Sequence, residues 1–312
     1  MIKIGVADID TSHPLAFAKV LAQQGRAAYF AVCNEGFRKR DEVEGFKNRF
    51  SLEKICESTD ELAECSDVGF IQGCNWDKHL DQAMAFIRLG KPVFLDKPMV
   101  GNLSECDKLI ELEKNGAKIL GSSGLRYCSE VRSFLAMGEE NRGKLLHIDV
   151  TVGVDEFNYA IHAVELICSL AESRALTVKH VGSSKRDDAI CDNYYITFEN
   201  GVTACYHCMP GRFVNFNVIL LTTTTSCAFT VDNKEIYGAL LGEICDELEG
   251  KESRMASVRE LTDCIRVSLA CKASKSSSGE EISIDSPALY GVSFDGYEFE
   301  KEYSAAAKPI YL

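Results

Sequence analysis

The stretch IKIGVADIDTSHPLAFAKVLAQQG, Ile2 to Gly25, decides how this chain is read. Ile2 to Ala7 is an apolar run of strand length. His13 to Gly25 repeats apolar residues at helical spacing, has Pro14 in its first turn and closes on a glycine. Strand, tight turn and helix in that order open a βαβ unit. The alternation continues outward through AAYFAVCN, FRKRDEVEGFKNRF, DVGFIQG, KHLDQAMAFIRLG, KPVFLDKP, NLSECDKLIELEKNG and AKILGSS. It predicts an α/β fold whose residues 1–122 form a doubly wound parallel sheet of Rossmann type, with helices on both faces. Ligands of such sheets lie beyond the carboxyl ends of the strands.

After Gly124-Leu125-Arg126-Tyr127 the pattern changes. A helix at VRSFLAMGEENRG and a long strand at KLLHIDVTVG precede the helix NYAIHAVELICSLAE. Strand-like runs follow, with the Asn200-Gly201 hairpin signal among them. Residues 123–312 therefore read as an α+β domain with a large, open, mostly antiparallel sheet. A helix around VRELTDCIRVSLACKASKSS and an exposed tail complete it.

Hydrophobic residues make up 46% and charged residues 26%, the balance of an ordinary globular chain. The formal net charge of -13 argues against nucleic acid and anionic membrane surfaces as partners, because both need a basic face. No apolar run has the length of a membrane span and no leader precedes the first strand, so a cytoplasmic location is expected. The 14 cysteines are scattered. In the C-x-x-C at Cys205 and Cys208, strand alternation points the thiols to opposite faces; reduced cysteines and no metal are expected.

The chemistry concentrates in HLDQAMAFIRLGKPVFLDKPM, His79 to Met99. A buried strand ends there at Asp96-Lys97-Pro98, which places an ammonium at the mouth of the sheet, where it would polarise a hydroxyl or carbonyl oxygen. Together with GLRY and NYAIHAVEL, this stretch resembles the glucose–fructose oxidoreductase, inositol dehydrogenase and rhizopine-catabolism (Gfo/Idh/MocA) family. The three segments look like that family's Glu-Lys-Pro signature, its Arg-aromatic pair and its D-x-G-x-H-x-x-D helix. The resemblance implies NAD(P)-dependent oxidation of a secondary alcohol on a sugar, cyclitol or related polyol. It makes Lys97 and His162 the catalytic lysine and histidine. Asn158 stands where the family has aspartate, Ala160 replaces the motif's glycine, and Glu165 its last aspartate. Asn158 would then orient substrate, with Arg126, Tyr127 and Tyr159 also at the substrate. A homodimer or homotetramer is implied. Two alternatives stay open: a degenerate member that binds a ligand or partner without redox turnover, and a lyase or epimerase with tightly bound nucleotide.

At the first turn, Asp8, Asp10 and His13 stand where a dinucleotide fold carries the glycines of G-x-G-x-x-G. A carboxylate ~5 Å from a pyrophosphate at an effective dielectric of ~20 opposes it by about 3 kcal/mol, two decades of affinity. Alternatively these residues build the turn, with Asp10, Thr11 or Ser12 capping the helix and Thr11, Ser12 and His13 meeting phosphate. The DTSH turn itself looks like that of a variant branch of the same family. After the second strand, Asn34 replaces the usual acid, and Arg38 lies close by; a neutral acceptor beside cations leans towards NADP over NAD. Asn75, His79 and Asp96 complete the expected cofactor contacts.

Overall fold

A computed structural model describes residues 1–309. The first half alternates β1 (Ile2–Ala7), α1 (His13–Gln24), β2 (Ala27–Cys33), α2 (Arg40–Phe50), β3 (Lys54–Cys56), α3 (Thr59–Cys65), β4 (Val68–Ile71), α4 (His79–Ile87), β5 (Val93–Leu95), α5 (Leu103–Lys114) and β6 (Ile119–Gly121). These six strands are all parallel, in the order β3-β2-β1-β4-β5-β6. Helices cover both faces, so β4 and β5 are buried throughout and read as continuous apolar runs. The chain reverses its direction of growth between β1 and β4, which opens a crevice above their carboxyl ends.

The second half contains α6 (Ser129–Ala136), α7 (Glu139–Arg142), β7 (Leu145–Val154), α8 (Ala160–Ala171), β8 (Ala175–Arg186), β9 (Ala189–Phe198), β10 (Thr203–Pro210), β11 (Asn217–Thr222), β12 (Ser226–Thr230), α9 (Ile236–Leu248), α10 (Val258–Ser276), β13 (Ile282–Ser283) and α11 (Gly296–Ala306). Its seven-stranded sheet has the order β12-β11-β7-β10-β9-β8-β13, antiparallel except where β7 meets β10. The expected hairpin joins β9 to β10, with Gly201 at φ +84° in its turn. Strand alternation turns Ile148, Val150, Ile196 and Tyr206 inward beneath α8 and α10. It leaves Ile219 and Leu221 exposed on the outer face. Cys208 is buried and Cys205 is partly exposed, on opposite faces of β10.

Two late helices return to the first domain. Leu240, Leu241 and Ile244 of α9 are buried in one cluster with Phe17 and Leu21 of α1. Each such side chain contributes about 1.5–3 kcal/mol when fully buried. Arg26 fastens the end of α9 through Asp246 (2.6 Å) and Glu249 (2.8 Å). The C-terminal segment, expected as an exposed tail, instead forms α11 and packs on the loop after β4. Its start is set by Asp295, whose side chain accepts from the Glu298 N–H at 2.9 Å. Among the described residues no helix is long and apolar enough to cross a membrane.

Candidate active-site cleft

β5 ends at Asp96 and Lys97, and this position at the edge of the crevice fixes the centre of the site. Lys97 Nζ donates to the side-chain oxygen and the backbone oxygen of Asn158, both at 2.9 Å. Burial lowers the Lys97 pKa, while the charges of Asp96, Asp155 and Glu165 pull it back up. Asn158 is held by Asp155, which accepts from its amide at 3.4 Å and from the N–H groups of Phe157 (2.9 Å) and Tyr159 (2.8 Å). That grip turns the Asn158 oxygen towards Lys97.

α8 supplies His162, whose Nδ1 lies 2.6 Å from Ser123 Oγ. Burial holds the His162 pKa well below its ordinary value, and the nearby charges of Lys97 and His13 add to this. The ring is therefore neutral at neutral pH. Glu165, one helical turn on, accepts from Ser122 Oγ at 2.9 Å and from the Ser123 N–H at 2.8 Å. Burial raises the Glu165 carboxyl pKa, against the lowering effect of the Arg126 charge. Ser123 is thus pinned from behind and positions the histidine in front.

On the opposite wall, His13 Nδ1 is 2.6 Å from Asp96 Oδ2. Burial pushes the Asp96 carboxyl up, but His13 and Lys97 outweigh it and leave its pKa below the ordinary value. The resulting cleft of about 370 Å³ is lined by Thr11, Ser12, His13, Asp96, Lys97, Asn158, Tyr159 and His162, closed by Tyr237 of α9 and by Phe299 and Tyr303 of α11. Eight residues expected at the site from sequence thus share one cavity. Ser123, Asp155, Tyr237, Phe299 and Tyr303 were not anticipated there. Only the last two carried a signal: Asp295 and Glu298 mark a helix start, and Phe299 and Tyr303 share a face at i, i+4.

The other expected residues lie elsewhere. Arg126 donates to the Glu165 carbonyl (3.3 Å) and to Glu260 (3.4 Å), and the Tyr127 hydroxyl accepts from the Ala256 N–H. Both line a separate cavity of about 550 Å³ behind α8, because the short turn at 124–127 directs them away from the cleft. His79 is buried, with its ring nitrogens at the carbonyls of Met99 (3.1 Å) and Gly73 (3.0 Å). Asn75 donates to Glu300 of α11 at 2.9 Å. Asn34 bonds within its own loop and to the Ile9 N–H. Arg38 turns inward to the Asp10 carbonyl (2.8 Å) and Glu42 (3.0 Å), so it does not present a cation to a 2′-phosphate, and the ground for preferring NADP is lost.

The two acids of the first turn have structural partners. Asp8, at φ +63°, accepts from the N–H groups of Glu35 (2.6 Å) and Gly36 (2.8 Å) and from Gln82 (2.8 Å). Asp10 accepts from the N–H groups of Phe37 and Cys74, both at 3.2 Å. Gly36 permits this approach, since a Cβ there would stand 2.3 Å from Asp10 Oδ1. Burial, followed by the charges of Asp8 and Glu300, pushes the Asp10 carboxyl up to about 7. Cys74 and Glu300 offer metal-ligand-type atoms within 4.8 Å of that carboxylate, but Asn75 and Lys78 already hold Glu300. The helix α1 has no side-chain cap from Ser12; Thr11 Oγ1 accepts from the His13 N–H at 3.2 Å.

In this topology a dinucleotide sets its pyrophosphate at the start of α1 and its adenosine ribose at the end of β2. Thr11, Ser12 and Lys97 at the cleft fit the phosphate and nicotinamide end. With α11 seated the adenosine end is closed, because Asn34 and Arg38 bond internally and the helix lies across it.

Residues 4–123 match the sequence profile of the Gfo/Idh/MocA group, described as an oxidoreductase family with an NAD-binding Rossmann fold. No curated protein matches the chain by sequence. Among solved structures, a probable dehydrogenase from Thermotoga maritima superposes with a TM-score of 0.78 at 14% identity, covering 91% of this chain and 99% of that one. A putative myo-inositol dehydrogenase from Sinorhizobium meliloti 1021 gives 0.77 at 13% identity, over 91% and 100%. Myo-inositol dehydrogenase from Lactobacillus casei, in complex with NAD(H) and myo-inositol, gives 0.77 at 14%, over 93% and 99%. Residues 4–123 thus match this family's NAD-binding segment in sequence, and the fold of the whole chain is shared with these solved structures.

Proposed function

We propose that the chain is an NAD(P)-dependent dehydrogenase or reductase acting on a secondary alcohol of a sugar, cyclitol or related polyol. The observation that carries this reading is the convergence of Lys97, Asn158 and His162 on one polar cleft at the carboxyl end of the parallel sheet. An ammonium has three donors. Two go to Asn158, and the third serves a substrate oxygen. In the tautomer whose Nδ1–H is directed at Ser123 Oγ, His162 presents Nε2 as a neutral acceptor for the hydroxyl proton. Asn158 does not take a proton, so the carboxylate character at this point comes from Asp155 behind it. Thr11, Ser12 and Tyr159 supply further hydroxyls for a polyol. The myo-inositol bound by the Lactobacillus casei protein supports a cyclitol as the first substrate class to try.

The exposed Ile219 and Leu221 on the outer face of the second sheet support a homo-oligomer joined through that face. The test of the activity is an absorbance assay for reduced nicotinamide with a panel of inositols and aldoses and either NAD or NADP. Turnover lost in Lys97→Met and His162→Ala supports the reading; turnover undiminished in both variants refutes it.

A further inference from the structure

We infer that α11 is a built-in cover on the adenosine end of the nucleotide site, and that a dinucleotide binds only as this helix lifts. The inference rests on the dehydrogenase reading and adds to it a control on cofactor entry. α11 bridges the loops after β4 and β2, between which the adenosine half of a dinucleotide lies in this topology. Phe299 packs on Trp76 with ring centroids 5.0 Å apart, and Tyr303 meets Phe37 at 6.1 Å. Beyond the helix, the Lys308 carbonyl accepts from Arg38 at 3.0 Å.

The cover also occupies the polar contacts of the site. The Glu300 carboxylate takes the Asn75 amide and the Lys78 ammonium, each at 2.9 Å. Both donors are committed to the helix while it is seated. Cover and the adenosine half of a dinucleotide exclude one another by space.

The attachment is densest just before the helix, and along the helix it comes down to Phe299, Glu300 and Tyr303, with Arg38 at the Lys308 carbonyl beyond it. The chain is fastened just before the helix: Phe294 stacks on Phe157 at 4.0 Å, accepts from Trp76 Nε1 at 2.8 Å and donates to the Gly101 carbonyl at 3.0 Å. Asp77 then accepts from the Gly296 N–H at 2.8 Å. From Tyr297 onward only one face is covered, and Tyr297, Glu298, Lys301, Glu302, Ala305 and Ala306 are exposed. Glu300 moreover sits close enough to raise the Asp10 pKa, so the seated helix carries a like-charge contact within the site. A helix covered on one face only belongs to the low-stability end of a fold, and Asp295–Gly296 is the point about which it would lift.

A closed cover reduces apparent affinity by the fraction of open molecules. Calorimetric titration with NAD is therefore expected to show about 10- to 100-fold tighter binding by a Phe299→Ala/Tyr303→Ala variant than by the natural chain. Glu300→Gln, a milder change, moves affinity the same way. The natural chain offers a second readout through Trp76, its single tryptophan, which is buried beneath Phe299. Saturation with NAD should raise its quenching by acrylamide. Equal affinity in all three proteins, with Trp76 shielding unchanged on saturation, overturns the cover and leaves the dehydrogenase reading intact. No binding by any of them, with circular dichroism showing native folds, overturns both.

Discussion

Replacing Asp10 with asparagine should remove a loss of stability that the natural chain suffers as pH rises from about 4 to about 7. In the folded chain the Asp10 carboxyl titrates at about 7, against an ordinary value of 3.8. Below both values the proton is bound in either state and the group contributes nothing. As pH rises between them, the unfolded chain releases the proton while the folded chain keeps it, so stability falls. The full penalty is in place above pH 7. A separation of about 3 units at about 1.4 kcal/mol each sets an upper figure of about 4 kcal/mol. Part of this belongs to the pairing with Asp8, whose own carboxyl is also raised by burial, so about 2–3 kcal/mol is expected from Asp10 alone. The amide offers one acceptor where the carboxylate used two, which leaves the Phe37 or the Cys74 N–H unbonded. That costs about 1–2 kcal/mol at every pH. The variant should therefore be the less stable protein near pH 4.5 and the equal or more stable one near pH 8, with the two curves crossing between. Urea unfolding midpoints measured across that range at constant salt give the answer directly. Two parallel curves would refute the reasoning, because they would mean that Asp10 ionises in the fold as it does in water.

The remaining predictions concern turnover. Lys97→Met should lower kcat/KM by about 10²- to 10³-fold, the scale for losing one preorganised donor at a reacting oxygen, with circular dichroism unchanged. Because burial keeps the His162 pKa well below 6.5, the acid limb of the kcat/KM profile should lie below pH 6.5; a limb at or above that value would show that His162 is not the base. Ser123→Ala should lower kcat by about 10-fold, the equivalent of one hydrogen bond to the ring, and shift that limb. Ser123→Thr should restore both, and an unshifted limb would reduce Ser123 to a packing residue.

What the sequence disclosed follows from how far each feature reaches along the chain. The parallel sheet was legible because strand and helix periods are local, and Lys97 because the end of a buried strand is a place as well as a residue. Asn158, Tyr159 and His162 followed from the likeness of their segment to the family's helix motif, not from its periodicity. Asp8 and Asp10 were open to two readings because their partners at Glu35, Gly36 and Phe37 lie across the β1–β2 connection. No spacing rule distinguishes a carboxylate aimed at a ligand from one aimed at a neighbouring loop. Arg38 misled for the same reason: a cation near the end of β2 looks available until the Asp10 carbonyl is found in front of it. Arg126 and Tyr127 occupy the right turn but face its other side. The tail showed a helix signal, whereas its docking place depends on Trp76 and Asn75, more than 200 residues earlier.

The substituted turn has a consequence for how the site divides its tasks. A glycine turn leaves backbone N–H groups bare for a phosphate; here the loops after β1, β2 and β4 are tied together by the carboxylates of Asp8 and Asp10. The adenosine end thereby becomes a closed floor on which α11 rests. The proton-handling side uses none of those bonds, because Lys97 is held by Asn158 and His162 by Ser123, both from the second half of the chain. Changes at the floor should accordingly act on nucleotide affinity, and changes at Ser123 or Asn158 on the chemical step. The two groups of variants should combine additively in free energy, as sites without shared partners do. A strong departure from additivity between Asp10→Asn and Ser123→Ala would mean that the cover and the catalytic wall move as one body.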